Sequence, residues 1–292
     1  MIKLFADTAK PEELKYCFGR QVDDGITTNP KIMEMAGIND FEAACKSILE
    51  KYPHVPVSLE TDLRGILVSD IHGNPEKVKD ILLQQAYNLN SLAANVIVKI
   101  PISKGGILAT RELSAKGIRT NVTACMTPYQ AIQAANAGAS YASLFSNRML
   151  DSHILELSGH SLDEILTSAD WKRIVEENKS KYFEAAWQKT LAQIGYVAKE
   201  LENSKTELIV GSIRSPQDIH RISEAEPHII TIPYKIVTGL ENIPQIKSAK
   251  RSIAAANPAV GYSNSLYHPM TQYTLDEFEK AADTYRLAKK EN

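Results

Sequence analysis

The chain has 292 residues, 43% of them hydrophobic and 23% charged, and its 33 basic and 35 acidic side chains leave a net charge of −2. These proportions exclude intrinsic disorder, collagen-like repeats and a disulfide-rich miniprotein, and the balanced charge offers no global field for nucleic acid or anionic lipid. Length allows one large domain or two ordinary ones, with small molecules as the expected partners.

The first residues, MIKLFADTAKPEELK, reach acidic side chains too soon for a signal peptide. No segment approaches the ~20 apolar residues that span a bilayer, so a soluble, cytoplasmic protein without a membrane partner is expected. Cys17, Cys45 and Cys125 form no C-x-x-C pair, and an odd count is a poor disulfide framework, which favours a reducing compartment.

Eight short apolar or β-branched runs follow in order, at 2–6, 25–28, 55–59, 96–100, 118–124, 141–145, 207–211 and 228–232. Most precede a stretch with helical periodicity, such as 75–92, 106–116 and 128–137, and Lys116-Gly117 is a helix stop signal. Alternating strands and helices imply right-handed crossovers and a parallel sheet. Eight such units match the roughly 250 residues of a closed (β/α)8 barrel. An open α/β sheet is the alternative, but no G-x-G-x-x-G follows the first run. The expected fold class is therefore α/β, a single (β/α)8 barrel domain over 1–292.

About 60 residues separate the sixth and seventh runs. They are predicted to be a helical insertion, 149–205, with the strongest patterns at 171–178 and 181–201 and with Trp171 and Trp187 as packing anchors. The tail, 274–290, is predicted to be an amphipathic helix opened by a capping box, Thr274-x-x-Glu277. It would pack on the barrel or on a neighbouring subunit of a homo-oligomer.

Active sites of such barrels lie where strands meet the following loops, so reactive residues should cluster at strand C-terminal ends. Asp7, Asn29 and Glu60 close the first three strands, Lys99 lies in the fourth, Asn121 and Thr123 in the fifth and Ser143 in the sixth. Ser212 and Arg214 follow the seventh, and Arg148 lies three residues beyond Phe145. Lys99 sits in Val96-Ile97-Val98-Lys99-Ile100-Pro101, where an ammonium is expensive unless it is paired or its pKa falls. A desolvated lysine is a carbonyl nucleophile able to form a Schiff base; an ion-paired structural lysine is the competing account. Asp7 and Glu60 suit acid/base partners, although a carboxylate ending a strand also serves as a helix N-cap. Arg148, Ser212 and Arg214 fall where barrels often bind phosphate, with a surface arginine as the plain alternative.

The seven histidines show no metal-binding spacing, His72 and His268 read as loop residues, and Cys125 reads as a packing residue. No metal and no organic cofactor is expected.

Taken together, Phe5-Ala6-Asp7-Thr8-Ala9, Asp24-Gly25-Ile26-Thr27-Thr28-Asn29-Pro30, Val57-Ser58-Leu59-Glu60 and Val98-Lys99-Ile100-Pro101 resemble successive motifs of the transaldolase family, which includes the fructose-6-phosphate aldolases. Gly117-Ile118-Arg119-Thr120-Asn121-Val122-Thr123, Ala137-Gly138-Ala139-Ser140-Tyr141-Ala142-Ser143, Asn147-Arg148 and Gly211-Ser212-Ile213-Arg214 continue the resemblance in the same order. It implies Lys99 as the Schiff-base lysine and Asp7 as the residue assisting carbon–carbon cleavage. Glu60 and Thr123 would hold the water that shuttles protons, and Asn29, Asn121 and Ser143 would bind the dihydroxyacetone unit. Arg148, Ser212 and Arg214 would bind phosphate. Two departures are noted: Met126 stands where the family commonly has an aromatic residue, and Leu144 replaces a usual proline, both expected beside the Schiff base. The implied activity is transfer of a three-carbon ketol unit between sugar phosphates without a cofactor. Reversible aldol cleavage is one alternative, and a non-catalytic sugar-phosphate-binding barrel is another.

Overall fold

The computed structural model describes residues 1–63, 66, 71, 73–168, 170–248 and 264–288. Strands β1 (Lys3–Asp7), β2 (Gly25–Thr27), β3 (Val57–Glu60), β4 (Val96–Pro101), β5 (Thr120–Cys125), β6 (Tyr141–Phe145), β7 (Glu207–Gly211) and β8 (Ile229–Pro233) correspond to the eight expected runs. All pair in parallel and close into a barrel in chain order, β8 returning to β1. The open-sheet alternative is thereby excluded.

Helices α1 (Pro11–Gly19), α2 (Pro30–Met35), α3 (Phe41–Lys51), α4 (Pro75–Asn90), α5 (Lys104–Ala115) and α6 (Pro128–Asn136) come between the first six strands. Four of these six begin with proline, whose missing N–H costs nothing in a first turn. Ser103 caps α5, and at Gly106 in its first turn a Cβ would stand 2.1 Å from the Pro101 carbonyl, so only glycine lets the helix turn this tightly off the Lys99 strand. Gly117, at a φ of +74°, follows the end of α5, as the Lys-Gly stop signal required.

Beyond β6 come α7 (Ser146–Leu157), α8 (Leu162–Ile165) and α9 (Trp171–Glu200), then α10 (Pro216–Ser223) after β7, α11 (Tyr234–Val237) and α12 (Ile243–Lys247) after β8, and α13 (Pro269–Ala288). The two helical patterns expected in the insertion are one continuous 30-residue helix, α9, because no proline or glycine interrupts residues 178–181. It packs along α7 and reaches α6, α10 and β7, with Trp187 fully buried and Trp171 nearly so. The insertion thus fills the outer layer between β6 and β7.

The C-terminal helix departs from expectation at its start. It begins at Pro269, so Thr274 is no N-cap: its hydroxyl donates to the Met270 carbonyl one turn back, at 2.7 Å, and Glu277 pairs with Arg148. Pro269, five residues upstream of Thr274, starts the helix instead. α13 packs on its own barrel against α2, α7, α8 and β5. Residues 289–290 of the expected helix, and His72, lie outside the described residues.

Alternation along the strands divides the barrel into layers. Phe5, Ile97, Tyr141, Ile209 and Ile229 form a separate cluster inside it, and the Phe5 ring meets Tyr141 edge-on, 6.0 Å between centroids. Two residues further along the same strands stand Asp7, Lys99, Ser143, Gly211 and Thr231, so the apolar interior ends in a polar layer at the C-terminal face. Among the described residues, no helix is long and apolar enough to cross a membrane.

Candidate active site

Lys99 is buried in the polar layer, level with Glu60 on one side and Asn121 on the other. Its Nζ lies 2.7 Å from Glu60 Oε2 and donates to the Thr28 carbonyl at 2.8 Å, with side-chain exposures of 5% for Lys99 and 2% for Glu60. Such a pair is tolerated in a barrel interior only because each charge neutralises the other. Burial pushes the Glu60 carboxyl above its usual range, and the lysine pulls it part of the way back. Asp7 is raised by burial as well, opposed by a hydrogen bond from the Thr27 hydroxyl at 2.6 Å and by the Lys99 charge. Among the described residues neither carboxylate caps a helix, and both keep a geometric basis for proton transfer.

The Thr27 hydroxyl also touches that of Thr231 on β8, extending the polar chain across the first seam of the barrel. On the opposite side Ser143 donates to Asn121 Oδ1 at 2.7 Å, and Asn121 Nδ2 donates to Ser58 Oγ at 3.3 Å. The Thr123 hydroxyl is buried and has no partner among the described residues. Asn29 does cap a helix: its Oδ1 accepts from Ile32 N–H at 2.8 Å, which orients the side chain at the start of α2.

A cavity of about 540 Å³ opens above this layer, within the usual range of small-molecule sites. Asp7, Thr27, Asn29, Lys99, Asn121, Thr123, Ser143, Arg148, Ser212 and Thr231 line it. Glu60 lies behind Lys99, outside the lining. Arg148 stands over the Tyr273 and Trp171 rings, 5.3 and 6.0 Å from their centroids, and is ion-paired with Glu277. Ser212 adopts a φ of +63°, and its carbonyl accepts from Asn147 Nδ2 at 2.8 Å; the same amide donates to Asp218, which also holds Arg214 N–H and the Ser215 cap.

Arg214 is not brought to the cavity. Its guanidinium grips Asp151 of α7 with two hydrogen bonds of 2.8 and 2.5 Å, and Asp151 is buried. A second difference concerns Met126. It is buried, its N–H donates to Gln130, and it lies outside the cavity lining, whereas Phe145 at the end of β6 lines the cavity. Phe145, Tyr234 and Phe278 are thus aromatic residues of the cavity lining, and Met126 is not part of it. Cys125 is buried, with its thiol pKa pushed far up by burial, as a packing residue requires.

Several site residues escaped the sequence reading. Thr231 could have been found by stepping two residues from Ile229 along β8. Glu277, Tyr273 and Phe278 carried no local signal, because α13 reaches the site only through tertiary packing.

A closed (β/α)8 barrel with a buried lysine paired to a carboxylate, at the base of a polar cavity on its C-terminal face, defines an aldolase-type barrel enzyme. The Transaldolase/Fructose-6-phosphate aldolase family matches residues 4–288, and the chain belongs to that family. A protein of Syntrophobacter fumaroxidans named "Probable transaldolase" is 32% identical over 246 residues, 83% of this chain and 90% of that protein. One of Aquifex aeolicus with the same name is 32% identical over 243 residues, 83% of this chain and 90% of its own. "Probable transaldolase 2" of Bacillus cereus is 29% identical over 255 residues, covering 87% of this chain and 96% of that protein.

Proposed function

We propose that this protein transfers a dihydroxyacetone unit from a ketose phosphate to an aldose phosphate through an imine on Lys99. The observation that carries the reading is the buried lysine paired with Glu60 and in the field of Asp7 at the base of a cavity of sugar size. Lys99 Nζ passes its proton to Glu60 and attacks the ketose carbonyl carbon; the carbinolamine hydroxyl leaves as water, leaving a protonated imine. Asp7 takes the proton of the hydroxyl two carbons from the imine carbon. The intervening carbon–carbon bond breaks, the aldose phosphate departs, and the electron pair stays on Lys99 as an enamine. The enamine carbon attacks an incoming aldose aldehyde, Asp7 returns its proton to the new alkoxide, and hydrolysis of the imine frees the product.

A carboxyl raised by desolvation is a better base for a hydroxyl proton than an ordinary aspartate. Thr123, with a hydroxyl that lacks a partner among the described residues, suits a relaying water shared with Glu60. Asn29, Asn121 and Ser143 suit the donor hydroxyls, and Arg148 and Ser212 suit its phosphate. Arg214 is assigned to the ion pair with Asp151 of α7 and not to that phosphate. The imine is the electron sink, so the scheme uses no metal and no organic cofactor. The protein is read as a single domain, with sugar phosphates and neither nucleic acid nor membrane as partners, and three free buried thiols fit the cytoplasm.

Fructose 6-phosphate with borohydride should leave a reduced three-carbon adduct on Lys99, and Lys99→Arg should leave none, because a guanidinium stays protonated. An adduct on another lysine refutes the scheme, and turnover with no adduct at all does the same. The second reading, aldol cleavage with release of dihydroxyacetone, draws on Tyr234, a phenol among the cavity residues able to protonate the enamine. Product analysis with and without erythrose 4-phosphate separates the two.

A further inference from the structure

Arg148, the guanidinium that lines the cavity, already has an anionic partner. Glu277 of α13 pairs with it, accepts the Tyr273 hydroxyl at 3.0 Å and lies 3.6 Å from Lys172. Thr274 and Phe278, on either side of Glu277 along the helix, line the cavity. Burial tends to raise the Glu277 carboxyl, but Arg148, the Tyr273 hydroxyl and Lys172 together outweigh it, so the group is held below its usual range and ionised. The cavity therefore presents the guanidinium, whose carboxylate partner lies outside the lining.

Resting on the sugar-phosphate reading above, we propose that Glu277 is a specificity-determining residue: it competes with a substrate phosphate for Arg148, and a phosphorylated sugar must draw the guanidinium away from it to bind. A phosphate carries up to two charges and three acceptor oxygens, so it outcompetes one carboxylate for the same planar donor, but the net gain is only the difference between the two. An unphosphorylated sugar leaves the pair intact and loses nothing. Glu277 thus narrows the preference for phosphorylated substrates. Displacement does not require the helix to leave, because α13 is fastened independently by Leu63 N–H to Glu279 at 3.0 Å and by the Thr271 hydroxyl to the Ala124 carbonyl at 3.0 Å.

The test is Glu277→Gln, which keeps the length of the side chain and an acceptor for Tyr273. Kinetics are compared for fructose 6-phosphate and unphosphorylated fructose, together with inhibition by inorganic phosphate. For a partly exposed pair the expected change is about fivefold: the KM for fructose 6-phosphate and the inhibition constant of phosphate both fall, while fructose kinetics stay within about twofold. Equal changes for both sugars, an unchanged phosphate inhibition constant, or weaker binding of the phosphorylated sugar each overturn the proposal. Glu277→Ala, followed by the thermal shift that inorganic phosphate produces, supplies the same comparison without turnover. If the wild-type enzyme does not turn over fructose 6-phosphate, the transfer reading fails on its own, and the phosphate shift still decides the role of Glu277.

Discussion

Replacing Lys99 with methionine removes one charge of a buried pair and leaves Glu60 without its cation, in the field of the Asp7 carboxylate. At 2.7 Å with both side chains almost fully buried, the carboxylate cannot stay ionised once the ammonium is gone. Its cheapest response is to take up a proton. Protonating a carboxyl with an ordinary value of 4.5 costs about 1.4 kcal/mol per pH unit above that value, hence about 3.4 kcal/mol at pH 7 and about 1.4 kcal/mol at pH 5.5. A folded-state pKa raised above the unfolded one means that the native protein binds the proton more tightly. Its stabilising effect is complete below the unfolded value and is lost as pH rises toward the folded one. Lys99→Met should therefore be destabilised relative to wild type by up to about 3 kcal/mol at pH 7, less whatever the raised carboxyl already costs beside Lys99, and the deficit should shrink steadily as the pH falls to 5.5. Urea unfolding followed by tryptophan fluorescence at several pH values reads this directly, since Trp171 and Trp187 are buried in the folded chain. Adding Glu60→Gln should abolish the pH dependence and recover most of the loss. A deficit that stays constant between pH 5.5 and 8, or a double variant no better than the single one, would refute the reasoning.

Asp7→Asn should stabilise the protein at neutral pH by roughly 1 kcal/mol, because it removes a charge held at the cost of desolvation while keeping an acceptor for Thr27, and it should depress turnover by two or more orders of magnitude. Calorimetry beside kinetics checks it, and a less stable variant would mean that Asp7 is held by more than Thr27 and Lys99. Arg214→Ala should cost about 1.5–3 kcal/mol of stability by leaving the buried Asp151 without its partner, with equal rate losses for phosphorylated and unphosphorylated sugars. A loss confined to phosphorylated sugars would put Arg214 on the phosphate instead. Phe145→Tyr should increase free dihydroxyacetone relative to transfer by placing a proton donor in the cavity, whereas Met126→Tyr should act only by overpacking, lowering stability by about 1–3 kcal/mol. Product ratios that respond to Met126 and not to Phe145 would reverse that assignment.

Much of this protein was determined by the sequence alone, where the signal is local or periodic. Eight β-branched runs separated by helical stretches specify a barrel, because a parallel strand must be followed by a crossover and the crossover helix must cover the strand it leaves. The lysine in an otherwise apolar strand, and the polar residues two steps beyond the interior apolar ones, mark the polar layer for the same reason: in a strand, alternate residues share a face. Which partner each side chain takes was a matter for the tertiary structure. Glu60 meets Lys99 because the β3–β4 register sets them level, and no spacing within either strand carries that information. Asp151 captures Arg214 across the β6–β7 junction, and Glu277 reaches Arg148 from 129 residues away. The same distinction explains Met126 and Phe145. Both lie near strand ends, but only packing decides that one side chain is buried beside α6 while the other faces the cavity. At the start of α13 the capping pattern and the proline competed on local terms, and Arg148 drew Glu277 into an ion pair that the helix alone does not call for.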